Sequence, residues 1–399
     1  MLTLDKVYHA SFVLKNIIRK TDMILAPNIN PESEIHLKTE NLQVTGSFKV
    51  RGAAYKISQL SEEEKARGVI ACSAGNHAQG VALAATKNGI KSLICLPDGA
   101  PISKVEATRK YGADICLVEG VYDDAYNKAL ELKDEKGYTF IHPFNDEDVI
   151  AGQGTIGLEI LDQIPDVDVV IVPIGGGGLI SGVAFAIKEL NPNVKVYGVQ
   201  ASGAPSMLKS IDDGKIEKLD SVSTIADGIA VKEPGDITFA MCQKYVDGIV
   251  TVSDDEIAAA ILALIEQQKL ITEGAGAVSV AAAMFNKVDV KGKKVCCLLS
   301  GGNIDVTILS RVIKRGLLKS GRTYSLTIEL LDKPGQLKGV ADIMAKEGGN
   351  VISIHHERAS EGSDINGCYL RIVLETKNFD HIAQIKKALT DAGFIIKSY

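Results

Sequence analysis

The chain has 399 residues, of which 46% are hydrophobic and 24% charged, and its formal net charge at pH 7 is −6. This length exceeds what one hydrophobic core usually serves, so we expect two or three domains, and the balanced composition excludes a fibrous or largely disordered protein. Because the chain has no basic run with interleaved aromatic residues, nucleic acid is not an expected partner.

The cysteines and the N-terminal pattern predict a cytoplasmic location. The seven cysteines form no C-x-x-C pair, and Cys296 and Cys297 lie within an apolar run, which is typical of buried, reduced thiols. Residues 1–20 have the pattern of an amphipathic helix rather than a signal peptide, and no apolar run approaches the length of a membrane span. A membrane is therefore not an expected partner either.

Strand and helix patterns alternate along most of the chain. One alternating block covers 68–141, and a second runs from about 152 to 300. Such alternation predicts parallel sheets joined by right-handed crossovers, which is an α/β fold. We predict a large domain made of 1–52 and 153–319 and a small domain of 53–152.

The last part of the chain follows a different pattern. A Ser-Gly-Arg-Thr segment that ends at Thr323 predicts a linker, and residues 323–399 read as strand, helix, strand, strand, helix, strand. This order predicts a separate ferredoxin-like βαββαβ domain. His355 and His356 fall on opposite faces of its second strand and do not form a metal site together, and no other spacing predicts one.

Lys49 and a run of glycines are the first candidates for chemistry. Lys49 follows Ser47-Phe48 in the turn-prone run 45–52, and a lysine becomes a nucleophile only where its surroundings lower its proton affinity. Four glycines at 175–178 stand between a buried strand and a helix, where backbone amides favour a phosphate. Ile180 replaces the third glycine of a dinucleotide fingerprint. A solvated lysine and a glycine turn that serves only packing are the alternatives.

Two more motifs lie at the same kind of junction. Ser73-Ala74-Gly75-Asn76-His77 follows a strand and begins a helix, and Ser300-Gly301-Gly302-Asn303 follows another strand. Exposed amides and hydroxyls there suit a small carboxylate, although the first motif alone is also an ordinary helix cap. Because ligands of open α/β sheets bind at the carboxyl ends of the strands, we expect these motifs to meet.

Together these motifs match what pyridoxal 5'-phosphate requires, which is a lysine for the aldehyde, glycines for the phosphate and polar groups for the ring. In order and spacing they resemble the fold-type II pyridoxal-phosphate enzymes. Residues 40–43, Glu-Asn-Leu-Gln, leading into the lysine run resemble the threonine dehydratases (threonine ammonia-lyases) of that group. The resemblance covers about residues 15 to 315.

The resemblance implies a role for each matching residue. Lys49 would bind the cofactor aldehyde and later remove and return the α-proton of the substrate, and Glu273, near the ring in relatives, is given a minor place. The other implied cofactor contacts are Phe48 beside the ring, Asn76 on the ring hydroxyl, Gly175, Gly176, Gly177, Gly178 and Leu179 on the phosphate, and Ser300 at the pyridine nitrogen. The implied substrate contacts are Ser73, Ala74, Gly75, Asn76 and His77.

The implied reaction is β-elimination of L-threonine, and of L-serine, to a ketoacid and ammonia. Serine racemases of this family resemble Ser-Ser-Gly-Asn-His in the motif at 73–77, with a second serine where this chain has Ala74. Because Ala74 has no proton to give, a dehydratase is preferred over a racemase. Serine dehydratase, serine racemase, a β-replacement enzyme and a non-catalytic amino-acid sensor remain alternatives.

The C-terminal domain resembles an ACT domain, with the turn 332–337 between its first strand and helix. The resemblance implies a small-molecule allosteric effector that binds between paired copies, and therefore a homo-oligomer, either a dimer or a tetramer. A module that only mediates oligomerisation is the alternative.

Overall fold

The computed structural model describes residues 2–358 and 366–397. The chain divides into two compact units, residues 1–308 and 309–399. The strands of the first unit are β1 (Met23–Leu25), β2 (Glu34–Lys38), β3 (Val69–Cys72), β4 (Ser92–Pro97), β5 (Asp114–Val118), β6 (Thr139–Phe140), β7 (Val169–Pro173), β8 (Lys195–Ala201), β9 (Gly248–Val252) and β10 (Lys294–Leu298). Its helices are α1 (Leu4–Leu14), α2 (Lys49–Ser58), α3 (Glu62–Arg67), α4 (Asn76–Lys87), α5 (Ile102–Lys110), α6 (Tyr122–Lys136), α7 (Glu147–Gln163), α8 (Gly178–Leu190), α9 (Ser206–Asp213), α10 (Asp236–Tyr245), α11 (Asp254–Ala263) and α12 (Gly274–Met284), and α13 (Val306–Lys319) follows.

Two sheets organise the first unit. The larger has the order β1-β2-β10-β7-β8-β9, and the smaller has the order β5-β4-β3-β6. All neighbouring strands are parallel except β1, which is antiparallel to β2. Every residue of β7 is buried, as expected of a parallel strand covered on both faces. The predicted α/β fold class is confirmed.

Each sheet has its own apolar core. Residues of β7, β8, β10 and α8 form the core of the larger sheet, and residues of β3, β4, α2 and α4 form that of the smaller. The predicted domain limits at 52/53 and 152/153 fall inside α2 and α7.

The start of α2 is fixed by a buried network of charges. Arg51 is fully buried and donates from Nε and one Nη to both carboxylate oxygens of Glu40, at 2.8 Å each. Its other Nη donates to Glu159 at 2.7 Å, and the buried Lys38 Nζ donates to the same carboxylate at 2.6 Å. Removing one member would leave a buried charge without its partner, so the network holds the backbone beside Lys49 in place.

Several elements differ from the sequence pattern. The pattern predicts the helix before β7 only from Thr155, whereas α7 begins at Glu147. The first half of α7 contains Gly152 and Gly154, which have low helix propensity, and Asp146 caps it by accepting from two backbone amides. Strand β1 and helices α9, α10 and α13 were not predicted. Helices α9 and α13 are strongly amphipathic, so their patterns were present in the sequence.

The second unit contains most of α13, which crosses the boundary at 308/309, followed by an antiparallel sheet with two helices. Its elements are β11 (Thr323–Leu331), α14 (Gln336–Glu347), β12 (Asn350–Glu357), β13 (Gly367–Glu375), α15 (Phe379–Asp391) and β14 (Ile395–Lys397). The strand order β12-β13-β11-β14 is the ferredoxin-like order that the sequence predicts. Among the residues that the structure describes, no helix in either unit is long and apolar enough to cross a membrane.

Candidate active site

Lys49 lies at the first position of α2, and its amine is held inside the first unit. The Nζ atom donates a 2.7 Å hydrogen bond to the carbonyl oxygen of Pro143 and lies 5.3 Å from the centre of the Phe48 ring. Burial lowers the pKa of Lys49 to about 8, and attraction to the Glu273 carboxylate acts in the opposite direction. A large share of this amine is therefore neutral near pH 8, as a lysine nucleophile or base requires.

The segment 141–145, Ile-His-Pro-Phe-Asn, forms one wall of the site. It follows β6 at the carboxyl edge of the smaller sheet. The Pro143 carbonyl accepts from Lys49 Nζ, and the Ile141 carbonyl accepts from His77 Nε2 at 2.8 Å. Burial lowers the pKa of His142 to about 4, and its Nδ1 accepts from two backbone amides of the same segment. The neutral imidazole thus fixes the turn that carries Pro143.

The glycine run forms a bare helix start beneath this wall. Gly177 is the N-cap of α8 with φ +96°, a conformation that favours glycine. A Cβ on Gly176 would lie 2.5 Å from atoms of the Phe144 ring, and one on Gly178 would lie 2.8 Å from the Phe144 backbone. Thr238 Oγ1 donates to the Gly176 carbonyl at 2.6 Å. Glycine at 176 and 178 therefore allows Phe144 to pack closely, and it also leaves the first backbone amides of α8 accessible.

Helices α2, α4, α8 and α12 begin at the site with no cap from a described side chain, and α4 and α8 begin after glycines. In the part of the chain that the structure describes, no side chain caps α4 or α8, whose N-cap residues are Gly75 and Gly177. By contrast, α3 and α11 carry full capping boxes built on Ser61 and Ser253. The first amides of an uncapped helix need an acceptor, and an anion supplies it. One such site suits a phosphate and the other suits a carboxylate.

A chain of polar side chains joins the two sheets across the site. Asn76 Nδ2 donates to Glu273 Oε1 at 2.7 Å, and Asn303 Nδ2 donates to Asn76 Oδ1 at 2.8 Å. Burial, with the nearby Asp227 carboxylate, raises the pKa of Glu273 to about 7. A carboxyl group with this pKa both donates and accepts protons near neutral pH. Glu273, which was given a minor place from the sequence, thus lies in this chain of polar side chains.

Ser300 lies just after β10, at the carboxyl edge of the larger sheet. Its carbonyl accepts from the Phe48 amide at 3.1 Å, and Ser47 forms an isolated bridge with Gly301. Its Oγ donates to the Ala275 carbonyl at 3.2 Å, at the start of α12. These bonds attach the serine directly to the segment that carries Lys49.

The Ser73 motif lies beside the lysine as well. Ser73 Oγ accepts from the Gly75 amide at 3.1 Å, and a Cβ on Gly80 of α4 would lie 3.1 Å from the Lys49 carbonyl carbon. His77 is buried, and burial and the Lys49 charge lower its pKa to about 3. Its ring is therefore neutral and bonded to Ile141, and Ala74 contributes only a methyl group.

The structure brings together residues that the sequence separates by more than 200 positions. Asn76 is bonded to Glu273 and Asn303, and the Phe48 amide next to Lys49 is bonded to Ser300. Segment 141–145 contacts both the lysine and the glycine run. Sequence reasoning missed this segment, and it named Asn303 only as the end of the Ser300 motif, without a role. Both follow the carboxyl end of a strand, and the rule that ligands bind at that edge would have pointed to them.

These residues fit pyridoxal 5'-phosphate. The partly buried amine of Lys49 suits an aldehyde, the uncapped start of α8 suits a phosphate, and Asn76 and Ser300 supply polar groups between them. In the described part of the chain, the buried Ser47 Oγ in the same region has no hydrogen-bond partner, which is typical of a site that a ligand completes.

Comparison with known proteins agrees with this fit. The family described as "Pyridoxal-phosphate dependent enzyme" matches residues 14–301. The chain belongs to this family, and pyridoxal 5'-phosphate is its cofactor.

Individual relatives within this family are named as threonine ammonia-lyases, threonine deaminases and serine racemases. The L-threonine ammonia-lyase of Thermotoga maritima is 50% identical over 399 residues, which covers 100% of this chain and 99% of the relative. The structure of the processed form of threonine deaminase isoform 2 from Solanum lycopersicum is 39% identical, with a TM-score of 0.74 over 79% of this chain and 90% of its own. Maize serine racemase is 35% identical, with a TM-score of 0.75 over 80% of this chain and 98% of its own.

Proposed function

We propose that the protein is an L-threonine ammonia-lyase, which converts L-threonine to 2-oxobutanoate and ammonia and also acts on L-serine. The observation that carries this proposal is the lysine site, with Lys49 beside two uncapped helix starts, in a chain half identical over its whole length to a protein of that name.

The reaction breaks the Cα–H and Cβ–O bonds of the amino acid and forms a Cα–Cβ double bond. One water leaves with the β-hydroxyl, and one water is consumed when the released enamine hydrolyses to the ketoacid and ammonia. When bound, pyridoxal phosphate supplies an electron sink for negative charge at Cα. The chain supplies the groups that bind, orient and move protons.

Each group of the site has a part in this proposal. The Lys49 amine takes the proton from Cα, and its lowered pKa supports that role. The open amides of α8 hold the cofactor phosphate, and those of α4, with Ser73, hold the substrate carboxylate. Asn76, whose amide donates to Glu273, would hold the ring hydroxyl. Ser300 would supply a neutral hydroxyl at the ring nitrogen, which favours elimination over transamination.

Serine racemisation is the second candidate, since maize serine racemase has a similar structure. Racemisation requires a proton donor on the face opposite the lysine. The serine racemases of this family resemble Ser-Ser-Gly-Asn-His in this motif, with a second serine where this chain has Ala74. The methyl group of Ala74 cannot donate a proton, which supports elimination. Racemisation of L-serine at a rate comparable to ketoacid release would overturn this preference.

We also propose an effector site and an oligomeric assembly that depend on the second unit. The family match ends at residue 301, so the ferredoxin-like unit lies outside the catalytic family. Its likeness to ACT domains supports a regulatory role in a dimer or tetramer. The seven free cysteines fit a reducing compartment, which supports the cytoplasm.

The test is ketoacid release from L-threonine, L-serine and their D-enantiomers by the purified protein, with and without isoleucine, valine and adenine nucleotides. We expect 2-oxobutanoate from L-threonine and a response to at least one effector. A chain that ends at Lys319 should keep activity and lose that response. A response of the same size in the shortened chain would refute the effector site without affecting the proposed reaction.

A further inference from the structure

Three metal-binding side chains meet at one end of the C-terminal sheet. Asp332 directly follows β11, His356 lies on β12, and Cys368 lies on β13. Their ligand atoms, a carboxylate oxygen, an imidazole nitrogen and the thiol sulfur, all lie within 4.8 Å of one another. In the part of the chain that the structure describes, this is the one group of three or more His, Cys, Asp or Glu side chains whose ligand atoms lie this close together.

The strand register explains why these side chains converge. β12, β13 and β11 are neighbours in the sheet, Cys368 pairs with Leu330, and His356 pairs with Leu370. Side chains alternate between faces along a strand, so Asp332, two residues after Leu330, lies in register on the same face as Cys368. His356 lies on that face too, and the adjacent His355 lies on the other. Residue spacing therefore does not predict the cluster, because only strand pairing brings its members together.

The chemistry of the three ligands suits a borderline transition-metal ion. Thiolate and imidazole bind zinc-class ions, whereas magnesium and calcium prefer oxygen ligands. Cys368 is 2% exposed, whereas Asp332 and His356 are exposed, so a metal can reach the sulfur from the surface. Ligands of a tetrahedral zinc ion lie about 3.3 to 3.8 Å apart. Rotation of the Asp332 and His356 side chains that moves their ligand atoms by about 1 Å would bring the three atoms to this separation.

One neighbour competes for the carboxylate. Arg358 Nε lies 3.4 Å from Asp332 Oδ1, and the two side chains are 71% and 38% exposed. An ion pair this exposed contributes about 1 kcal/mol or less, so a metal displaces it at little cost.

We propose that Asp332, His356 and Cys368 form a binding site for a divalent transition-metal ion, with Zn²⁺ the best match. Three protein ligands leave the fourth tetrahedral position open to water or to a small molecule with an amine or carboxylate. The metal would join three strands of the second unit, and it takes no part in the proposed elimination reaction.

The test is calorimetric titration of the full-length, cofactor-loaded protein with Zn²⁺. We expect the wild type to bind one Zn²⁺ per chain at this site, and Cys368→Ser and His356→Ala each to weaken its binding at least about 100-fold, since changes outside the ligand shell already cost 10- to 100-fold. Co²⁺ difference spectra should show a thiolate-to-metal charge-transfer band in the wild type and none in Cys368→Ser.

His355→Ala is the matched control, because it removes an exposed histidine from the same strand on the opposite face. Its Zn²⁺ affinity should stay within about threefold of the wild type. His356 is exposed, so His356→Ala tests the site even if Cys368→Ser disturbs the core. Absence of saturable binding, equal affinity in His356→Ala and the wild type, or an equal loss in His355→Ala would overturn the proposal.

Discussion

Replacing Glu273 by glutamine tests the electrostatics of the site directly. The pKa of Glu273 is raised from its ordinary value of 4.5 to about 7 because its carboxylate is buried and near Asp227. Glutamine keeps an oxygen that accepts from Asn76 and removes the charge. Because the folded pKa exceeds the unfolded one, the wild type binds more protons when folded between pH 4.5 and 7, and its stability falls over that range as the pH rises.

The size of the effect follows from the shift. One pKa unit corresponds to about 1.4 kcal/mol, so ionising Glu273 costs the folded protein about 1 kcal/mol at pH 5.5 and about 3 kcal/mol at pH 8. Glu273→Gln should therefore be more stable than the wild type, and its advantage should grow by about 2 kcal/mol between these two pH values.

The assay is urea unfolding of the cofactor-free protein at pH 5.5 and pH 8. Glu119→Gln is the control, because Glu119 is exposed in the turn after β5 and its replacement should give the same small change at both pH values. An advantage of Glu273→Gln that stays constant with pH would show that Glu273 does not titrate in this range. The reasoning from its burial would then be wrong.

Three further predictions concern the lysine, the glycine run and the buried network. Because burial lowers the pKa of Lys49 to about 8, the rate at which the cofactor-free protein binds pyridoxal phosphate covalently should rise with pH to a midpoint near 8, and a midpoint near 10.5 would contradict this. Gly176→Ala places a Cβ 2.5 Å from the Phe144 ring and should weaken cofactor binding about tenfold in an absorbance titration, since overpacking costs about 1 to 3 kcal/mol. Gly99→Ala, where no atom lies within 4 Å, should bind the cofactor as the wild type does. Arg51→Met removes the cation bonded to the buried Glu40 carboxylate, whereas Glu159 keeps its bond to Lys38, and it should lower the free energy of unfolding by about 3 to 5 kcal/mol. A loss of 1 kcal/mol or less in urea unfolding would mean that water reaches the network.

The sequence pattern predicts strands over 34–38, 114–118, 248–252 and 350–357 and a helix over 336–347. Strands β2, β5, β9 and β12 and helix α14 have these bounds, because alternating or helical patterns and clear turn residues mark both ends. Helix α7 was predicted too short because its glycines hide the pattern, and only packing against α8 shows why a helix forms there.

Some residues of the site could be predicted from the sequence, and others could not. Lys49 and the glycine run were predicted because the order and spacing of the motifs match the needs of one cofactor. The contacts of Glu273 and segment 141–145 could not be predicted from spacing alone, because each is a bond to a residue far away in the chain. The Asp332, His356 and Cys368 cluster stayed hidden for the same reason, since strand register decides which side chains share a face.

The central claim is that Lys49 is the base of an L-threonine elimination reaction. The most direct measurement is 2-oxobutanoate release from L-threonine by the wild type and by Lys49→Ala, with Lys56→Ala, a lysine in the same helix that pairs with Asp146 and Asp148, as the matched control. We predict steady ketoacid release by the wild type and the control. Lys49→Ala should show none, and it should lack the absorbance of lysine-bound cofactor. Ketoacid release by Lys49→Ala at the wild-type rate would contradict the claim.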